Sequence, residues 1–441
     1  MESLVTPIPG PHSYALATRL RATETRGVTY LADDFPVFWR DARGATVADV
    51  DGNRYLDFTS AFGVAVTGHA NPAVARAIAT QAQRLPHGMG DVHPSDVKAD
   101  LLDALARIAP MRDPKTFLAS SGAEAVEFAL KTAMLATGDA NVLSFAGGYH
   151  GLSYGTLEVT GISKFRKPWE RQLRGTTTFT RFPDPREPKA LEKSLAAIRK
   201  ALKKDRAIGA VIVEPIQGRA GVVVPPEGFL SGLRALCTQL DVLLILDEIY
   251  TGFARTGTMF ACERENVEPD ILCIGKALAG GFPLSAAIVR GDIADAWDVS
   301  RGEALHTSTY LGNPMGCAAA LANLGEIERL RLIERARTGE AIMRDRLHAL
   351  RKFDMQIADI RGRGMLWALE FKDPAFANAS VLRALQRGLI LLQSGTRGES
   401  ISLSPPLVIT DAQLHRAFDL LEESLRDPLA SSDAAIRMRR G

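Results

Sequence analysis

A lysine, an acid and a turn of small residues are the groups in this chain whose types and spacing could do chemistry together. Lys276 stands in Asp270-Ile-Leu-Cys-Ile-Gly-Lys-Ala-Leu-Ala-Gly-Gly-Phe282, where the apolar run from Ile271 to Ile274 reads as a buried strand delivering one amine onto a glycine-rich turn. An ammonium at such a strand end is poorly solvated, which favours the neutral, nucleophilic amine that traps a carbonyl. Upstream, the apolar run from Val242 to Leu246 empties into Asp247 and Glu248. The 29 positions from Asp247 to Lys276 leave room for a crossover and a second strand in the same sheet, which would bring acid and amine to one sheet edge. Glu248 reads as a carboxylate capping the turn that follows.

A buried carboxylate needs a cationic partner. The protonated ring nitrogen of pyridoxal phosphate is such a partner, and holding it protonated makes that ring an electron sink, a role that fits Asp247. A phosphate would find a place at Phe117-Leu-Ala-Ser-Ser-Gly-Ala-Glu-Ala-Val126, a strand, a small-residue turn and then a helix. Ser121 and Glu124 make an S-x-x-E capping pattern, and the backbone N–H groups of Ser121, Gly122 and Ala123 at the positive dipole end suit a dianion.

With these residues in view, the chain resembles the class III (omega) aminotransferases, of the fold-type I pyridoxal phosphate enzymes. The resemblance runs over nearly the whole chain: Val47-Ala-Asp-Val-Asp-Gly-Asn-Arg-Tyr-Leu-Asp57, Gly68-His-Ala-Asn-Pro72, Ser120-Ser-Gly-Ala-Glu-Ala-Val126, Gly147-Gly-Tyr-His-Gly151, Glu214-Pro-Ile-Gln-Gly218, Asp247-Glu248, the Lys276 segment, Thr309-Tyr-Leu-Gly-Asn-Pro314 and Arg361-Gly-Arg-Gly364. It implies an α/β fold with a mostly parallel sheet of the seven-stranded type in a large domain, and a smaller α+β domain built from both chain ends. It also implies that Lys276 carries the pyridoxal 5'-phosphate aldehyde covalently and then serves as the base. Tyr149 and His150 occupy the aromatic position over one ring face, Ile249 the position beneath the other. Thr309 resembles the residue that reaches the phosphate of a neighbouring subunit, implying a homodimer or a dimer of dimers with shared sites.

The departures from the ornithine and 4-aminobutyrate aminotransferase pattern bear on the substrate. Tyr250 stands in place of a glutamine near the cofactor's phenolic oxygen, where a phenol can still hydrogen-bond. Ser402 stands where the carboxylate-binding arginine is usual, and Arg219 where those relatives place the glutamate that masks it. Arg219 therefore either grips a substrate carboxylate or faces solvent on a glycine-flanked hairpin. Arg397 is a further cationic residue in a turn, and Trp39 and the Phe62-Gly63-Val64 segment are pocket residues by resemblance, or core. The expected reaction moves an amino group from a primary amine or amino acid to a 2-oxo acid by a ping-pong mechanism. An amino acid racemase or epimerase on the same scaffold is the alternative, and a cofactor-binding protein without turnover is disfavoured by the intact Lys276, Asp247 and phosphate turn.

Composition agrees with a large folded protein: 441 residues, 46% of them hydrophobic, exceed one ordinary domain. A net charge of +2 gives no field for nucleic acid, and the basic stretch from Lys189 to Arg206 spaces its charges like a solvated helix face. The four cysteines lack C-x-x-C spacing and read as buried thiols, and no metal site is expected. No stretch approaches the ~20 apolar residues of a membrane span, and a reducing cytoplasm is the expected compartment. Strands alternate with helices from Thr116 to Val289, after a hairpin turning at Asp51-Gly52. The expected organisation is 1–65 joining the small domain, 66–330 as the cofactor-binding domain and 331–441 as the C-terminal small domain. Thr410 and Gln413 should cap a last helix ending near Arg426, with a frayed tail from Asp427 to Gly441.

Overall fold

The computed structural model describes residues 1–426; the tail read as frayed lies outside the described residues. The chain divides into two compact units, one of Pro72–Ile333 and one that joins Met1–Asn71 to the residues from Glu334 onward.

The Pro72–Ile333 unit is built on a seven-stranded sheet in the order Pro114–Ala119, Ser285–Arg290, Ile271–Ile274, Leu243–Asp247, Ile208–Val213, Asn141–Ala146 and Thr177–Arg181. Ser285–Arg290 runs antiparallel to both its neighbours, and the other pairs are parallel. Ile208–Val213 and Ile271–Ile274 are buried at every residue, which is why their sequences are continuously apolar rather than alternating. The helix Gly122–Thr137 lays Val126, Ala129 and Ala133 on Ile212, Ile245, Ile271 and Ala287 in one core cluster. Its small residues let the helix approach the sheet closely, and Gly138, at φ +75°, ends it in a left-handed cap.

The strands ending at Asp247 and Ile274 lie where their apolar runs predict them, within a residue at each end. Thr177–Arg181 was not foreseen: it is a half-buried edge strand of polar composition, Thr-Thr-Phe-Thr-Arg, with no apolar run to mark it. One pairing matters most for chemistry. Asp247 lies opposite Cys273 in the parallel ladder, so Gly275 and Lys276 leave the sheet beside the acid.

In the other unit, Thr46–Asp49 and Arg54–Asp57 form the predicted hairpin, with Gly52 at φ +91° in its turn. Leu389–Ile390 adds to it in parallel, Leu389 opposite Leu56, so both chain ends share a sheet. A second sheet contains Ile357–Arg363, Leu366–Phe371, Ser400–Leu403 and Leu392–Ser394. The last helix, Asp411–Arg426, opens on the predicted reciprocal cap: Thr410 N–H donates to Gln413 Oε1 at 3.0 Å and Gln413 N–H to Thr410 Oγ1 at 3.2 Å. All four cysteines are buried and free, and no helix among the described residues is long and apolar enough to cross a membrane.

Ile245 is wholly buried at the centre of the large sheet. Replacing it by alanine should leave a cavity costing about 2–5 kcal/mol, seen as a lower denaturation midpoint; a midpoint unchanged from the parent would contradict this core.

Candidate active site

The carboxyl ends of Leu243–Asp247 and Ile271–Ile274 form the floor of the site, as expected for ligands of an open parallel sheet. Asp247 is 4% exposed; its Oδ2 lies 2.8 Å from His150 Nδ1, and its Oδ1 accepts the Ile249 N–H at 3.1 Å. Glu248 has the capping role expected of it, accepting the N–H groups of Ala261 and Cys262 at 2.8 Å each and the Thr251 hydroxyl at 2.5 Å. Its side chain is committed to structure.

Lys276 opens a short 3₁₀ turn in a left-handed conformation, φ +38°. Such strain in a non-glycine residue is tolerated only where the surroundings dictate it, and it marks functional positions. Burial pushes the Lys276 ammonium toward deprotonation, opposed by the negative charges of Asp247 and Glu214 and aided by the positive charge of Arg219. Its Nζ rests 4.1 Å from the centroid of the Tyr250 ring.

The small-residue turn behaves as its sequence predicts. Ser121 is the N-cap of Gly122–Thr137 and accepts the Glu124 N–H at 3.2 Å, while Glu124 Oε2 accepts the Ser120 N–H at 2.8 Å. The first N–H groups of a helix have no partner within it, so those of Gly122 and Ala123 point outward at the dipole's positive end. A Cβ on Gly122 would lie 2.8 Å from Ile249 Cδ1, and one on Gly275 would lie 2.5 Å from Ser285 Oγ and 3.4 Å from Ile249 Cγ2. Two glycines thus let the helix start and the lysine turn close on Ile249 from both sides.

Tyr149 is half-buried, edge-on to Phe165 at 5.6 Å, and burial pushes its phenol up. His150 is 3% exposed, gripped through its N–H by Thr160 Oγ1 at 3.1 Å, and its Nε2 is buried without a partner among the described residues. Its ring is engaged edge-on with Asp247. Glu214, quoted above only as part of a motif, proves to belong to the same group. Its Oε1 accepts the Tyr149 N–H at 2.8 Å and its Oε2 the Gly218 N–H at 3.0 Å. Burial, reinforced by Asp247 and opposed by His150, pushes the Glu214 carboxyl up to about 7. The available signal was an acid followed by proline at the end of a wholly apolar strand.

Arg219 stands at the tip of a hairpin closed by paired hydrogen bonds between Gln217 and Val223, 3.1 and 3.0 Å. Its side chain is exposed, and its charge is felt at both Lys276 and Tyr149. Thr309 is exposed in the loop before the helix Pro314–Arg329, and no hydrogen bond among the described residues joins it to the Lys276 group. Ser402 and Arg397 belong to the other unit: Ser402 Oγ donates to Ser394 Oγ at 2.6 Å, and Arg397 is exposed in its turn.

An amine, a carboxylate and a dianion site on three neighbouring elements match the three ends of one small molecule: an aldehyde, a ring nitrogen and a phosphate. The model for aminotransferase class-III matches residues 29–425. The chain belongs to that family. It is 38% identical to the 4-aminobutyrate aminotransferase of Mycobacterium leprae (strain TN) over 96% of its own length and 98% of that protein's. It is 36% identical to the acetylornithine aminotransferase of Methanosarcina mazei over 88% of its length and 92% of that protein's. Among solved structures, the PLP-bound amine transaminase of an uncultivated Pseudomonas species superposes with a TM-score of 0.85 at 29% identity, covering 91% of this chain and 98% of that one. The fold is therefore that of the fold-type I enzymes, the reaction is amino transfer, and the cofactor is pyridoxal 5'-phosphate. The racemase alternative finds no support among these relatives.

The residues fit that group. Gly122 and Gly275 let the helix start and the lysine turn pack on Ile249 without a Cβ, the helix start offers N–H donors to a phosphate, and Asp247 offers an acceptor to a protonated ring nitrogen. Glu214 yields a test of the electrostatics. Because its folded value of about 7 lies above the ordinary 4.5, the folded state holds the proton more tightly. Its contribution to stability is complete below the unfolded value and is lost as pH rises through the folded one, at up to about 1.4 kcal/mol per pH unit. Glu214→Gln should flatten the stability profile of the apoprotein over that interval. Identical slopes for the two proteins would contradict the burial of this acid.

Proposed function

We propose that this enzyme takes the amino group from an amine donor that carries a carboxylate and passes it to a 2-oxo acid, in two half-reactions at the Lys276 site. Bound there, pyridoxal 5'-phosphate supplies a carbonyl for the donor's nitrogen and a pyridinium ring that accepts the electron pair of a deprotonated carbon. The protein's residues do the rest. Ser121, Gly122 and Ala123 hold the phosphate through the helix start. Asp247 would keep a proton on the ring nitrogen, and the His150 imidazole fixes the orientation of that carboxylate. Tyr149 and Ile249 would flank the ring and restrain its tilt, while burial excludes water. The Lys276 amine would take a proton at Nζ from the donor's carbon and return it during the same half-reaction. Tyr250 lies beside this amine.

The donor class rests on Arg219. It is an exposed guanidinium whose field reaches Lys276, on a hairpin tip that in the ornithine and 4-aminobutyrate pattern bears a glutamate. A fork of this kind takes a carboxylate by charge-assisted, bidentate hydrogen bonds. The relatives differ in the amine that their names specify, 4-aminobutyrate in one and acetylornithine in another, so a change at one charged tip is a reasonable place for a change of donor. Thr309 and the exposed Val299, Leu305 and Tyr310 of its loop support a homodimer with shared sites, and four buried free thiols fit a reducing cytoplasm.

The observation carrying this reading is the ladder register that sets Lys276 beside Asp247. Borohydride reduction followed by digestion should place the pyridoxyl label on Lys276, and Lys276→Ala should lose the label and at least about 10²–10⁴-fold in turnover. A label on another lysine would overturn the assignment. Arg219→Ala should raise KM for carboxylated donors by about 10- to 100-fold, the worth of a charge-assisted pair, with little change for donors that lack the group. Equal KM values for carboxylated donors in the two proteins would remove Arg219 from the site.

A further inference from the structure

Tyr250 replaces an amide side chain with one that has a π face, and the structure uses that face. Lys276 Nζ lies 4.1 Å from the ring centroid, well within the range at which a desolvated ammonium is drawn to an aromatic quadrupole. The ring is also held against backbone: a Cβ on Gly218 would come within 2.2 Å of Tyr250 Cδ1 and 2.8 Å of Cε1. Gly218 is fixed in turn by its N–H to Glu214 Oε2 at 3.0 Å. The phenol ring is thus wedged between a glycine that cannot be replaced without moving it and the amine of the reactive lysine.

We propose that Tyr250 is the positioning residue of the free Lys276 amine: its ring face cradles the ammonium form and holds it in one orientation at the sheet edge whenever the lysine is not covalently engaged. This rests on Lys276 being the lysine that carries the cofactor. The proton balance is simple. When Nζ takes a proton from the donor's carbon, a C–H bond breaks, an N–H bond forms and the electron pair stays on the substrate side. The new positive charge on Nζ then faces the ring. When the proton is returned, the charge disappears and so does the attraction, so the ring favours the one stage at which a buried cation must be held.

The other charged or titratable groups facing this amine come from separate elements. Asp247 stands at its strand end and Glu214 and Arg219 flank the hairpin, while the Gly147–Gly151 turn gives the Tyr149 N–H to Glu214 and sets His150 Nδ1 against Asp247. The acids favour the ammonium and Arg219 disfavours it. Burial, the largest influence on the amine, also disfavours the charged form. Within this set the ring is the contact that favours the cation without adding an ionisable carboxylate, and it holds the amine by shape as well as by charge.

The test uses the full-length enzyme stripped of cofactor and refilled with pyridoxal 5'-phosphate. The rate of refilling, followed by absorbance across pH, depends on the neutral amine. Tyr250→Phe keeps the π face and should keep the wild-type pH profile. Tyr250→Leu removes it and should move the profile to lower pH, accelerating refilling near neutrality by roughly 3- to 10-fold, as expected for losing a desolvated cation–π contact. Replacing Tyr250 by phenylalanines of increasing fluorine content drains the ring face while keeping its shape, and should move the profile stepwise in the same direction. That series decides alone if Tyr250→Leu does not fold. Identical profiles for Tyr250→Phe and Tyr250→Leu, or a profile indifferent to fluorination, would overturn the role of Tyr250. Borohydride labelling of the wild type runs alongside: a label away from Lys276 would sink the cofactor assignment itself, whereas a labelled Lys276 with unmoved profiles would sink only the part given to the ring.

Discussion

The parallel pairing of Leu243–Asp247 with Ile271–Ile274 is the constraint on which the site depends. Asp247 faces Cys273 across the ladder, so the acid and the turn bearing Lys276 emerge at one edge as a consequence of register. A slip of either strand by one residue would turn its side chains to the opposite faces of the sheet and carry the acid or the lysine turn out of this alignment. The spacing of the acid and the amine is therefore set by backbone hydrogen bonds within the sheet.

Placing charge at that edge has an electrostatic consequence that the surrounding residues absorb. Asp247, Glu214 and His150 are buried and Lys276 is half-buried beside them, so each charge is expensive unless partnered. Asp247 is partnered by His150 and by the Ile249 N–H; Glu214 is held by two backbone N–H groups and retains its proton to about pH 7. Two buried carboxylates thus sit in different environments, one against an imidazole and one against amides, and such separation lets neighbouring acids do different work. The orphaned His150 Nε2 marks the point where this network is incomplete within the protein itself.

Much of this was legible in the residues because burial on both faces writes itself into sequence. The runs ending at Asp247 and Ile274 are unbroken apolar stretches, and Ser121 with Glu124 is a local signature whose hydrogen bonds form as the spacing requires. Asp51-Gly52 and the Thr410–Gln413 cap are likewise local. What escaped is set by contacts distant in sequence. Thr177–Arg181 is a strand only because Asn141–Ala146 pairs with it, Glu214 joins the site only because the 147–151 turn folds over it, and His150 turns its ring edge to Asp247, 97 positions away. Propensity and spacing carry no record of such encounters.

The positions around Lys276 divide into rigid and exposed ones. Asp247, Lys276 and Ser121 stand at strand ends and at a helix start, beside glycines whose replacement would collide with neighbours, so their freedom to vary is small. Arg219 stands instead at the tip of a short hairpin, exposed, where its positive charge is felt at Lys276. Ser402, by contrast, is buried in a hydroxyl pair with Ser394, and restoring an arginine there would bury a guanidinium in place of a neutral hydrogen bond, at a cost in desolvation. A carboxylate-binding charge is therefore easier to accommodate at the hairpin tip than at that strand. In this chain the cation stands at the tip, and the buried strand position keeps a neutral hydroxyl.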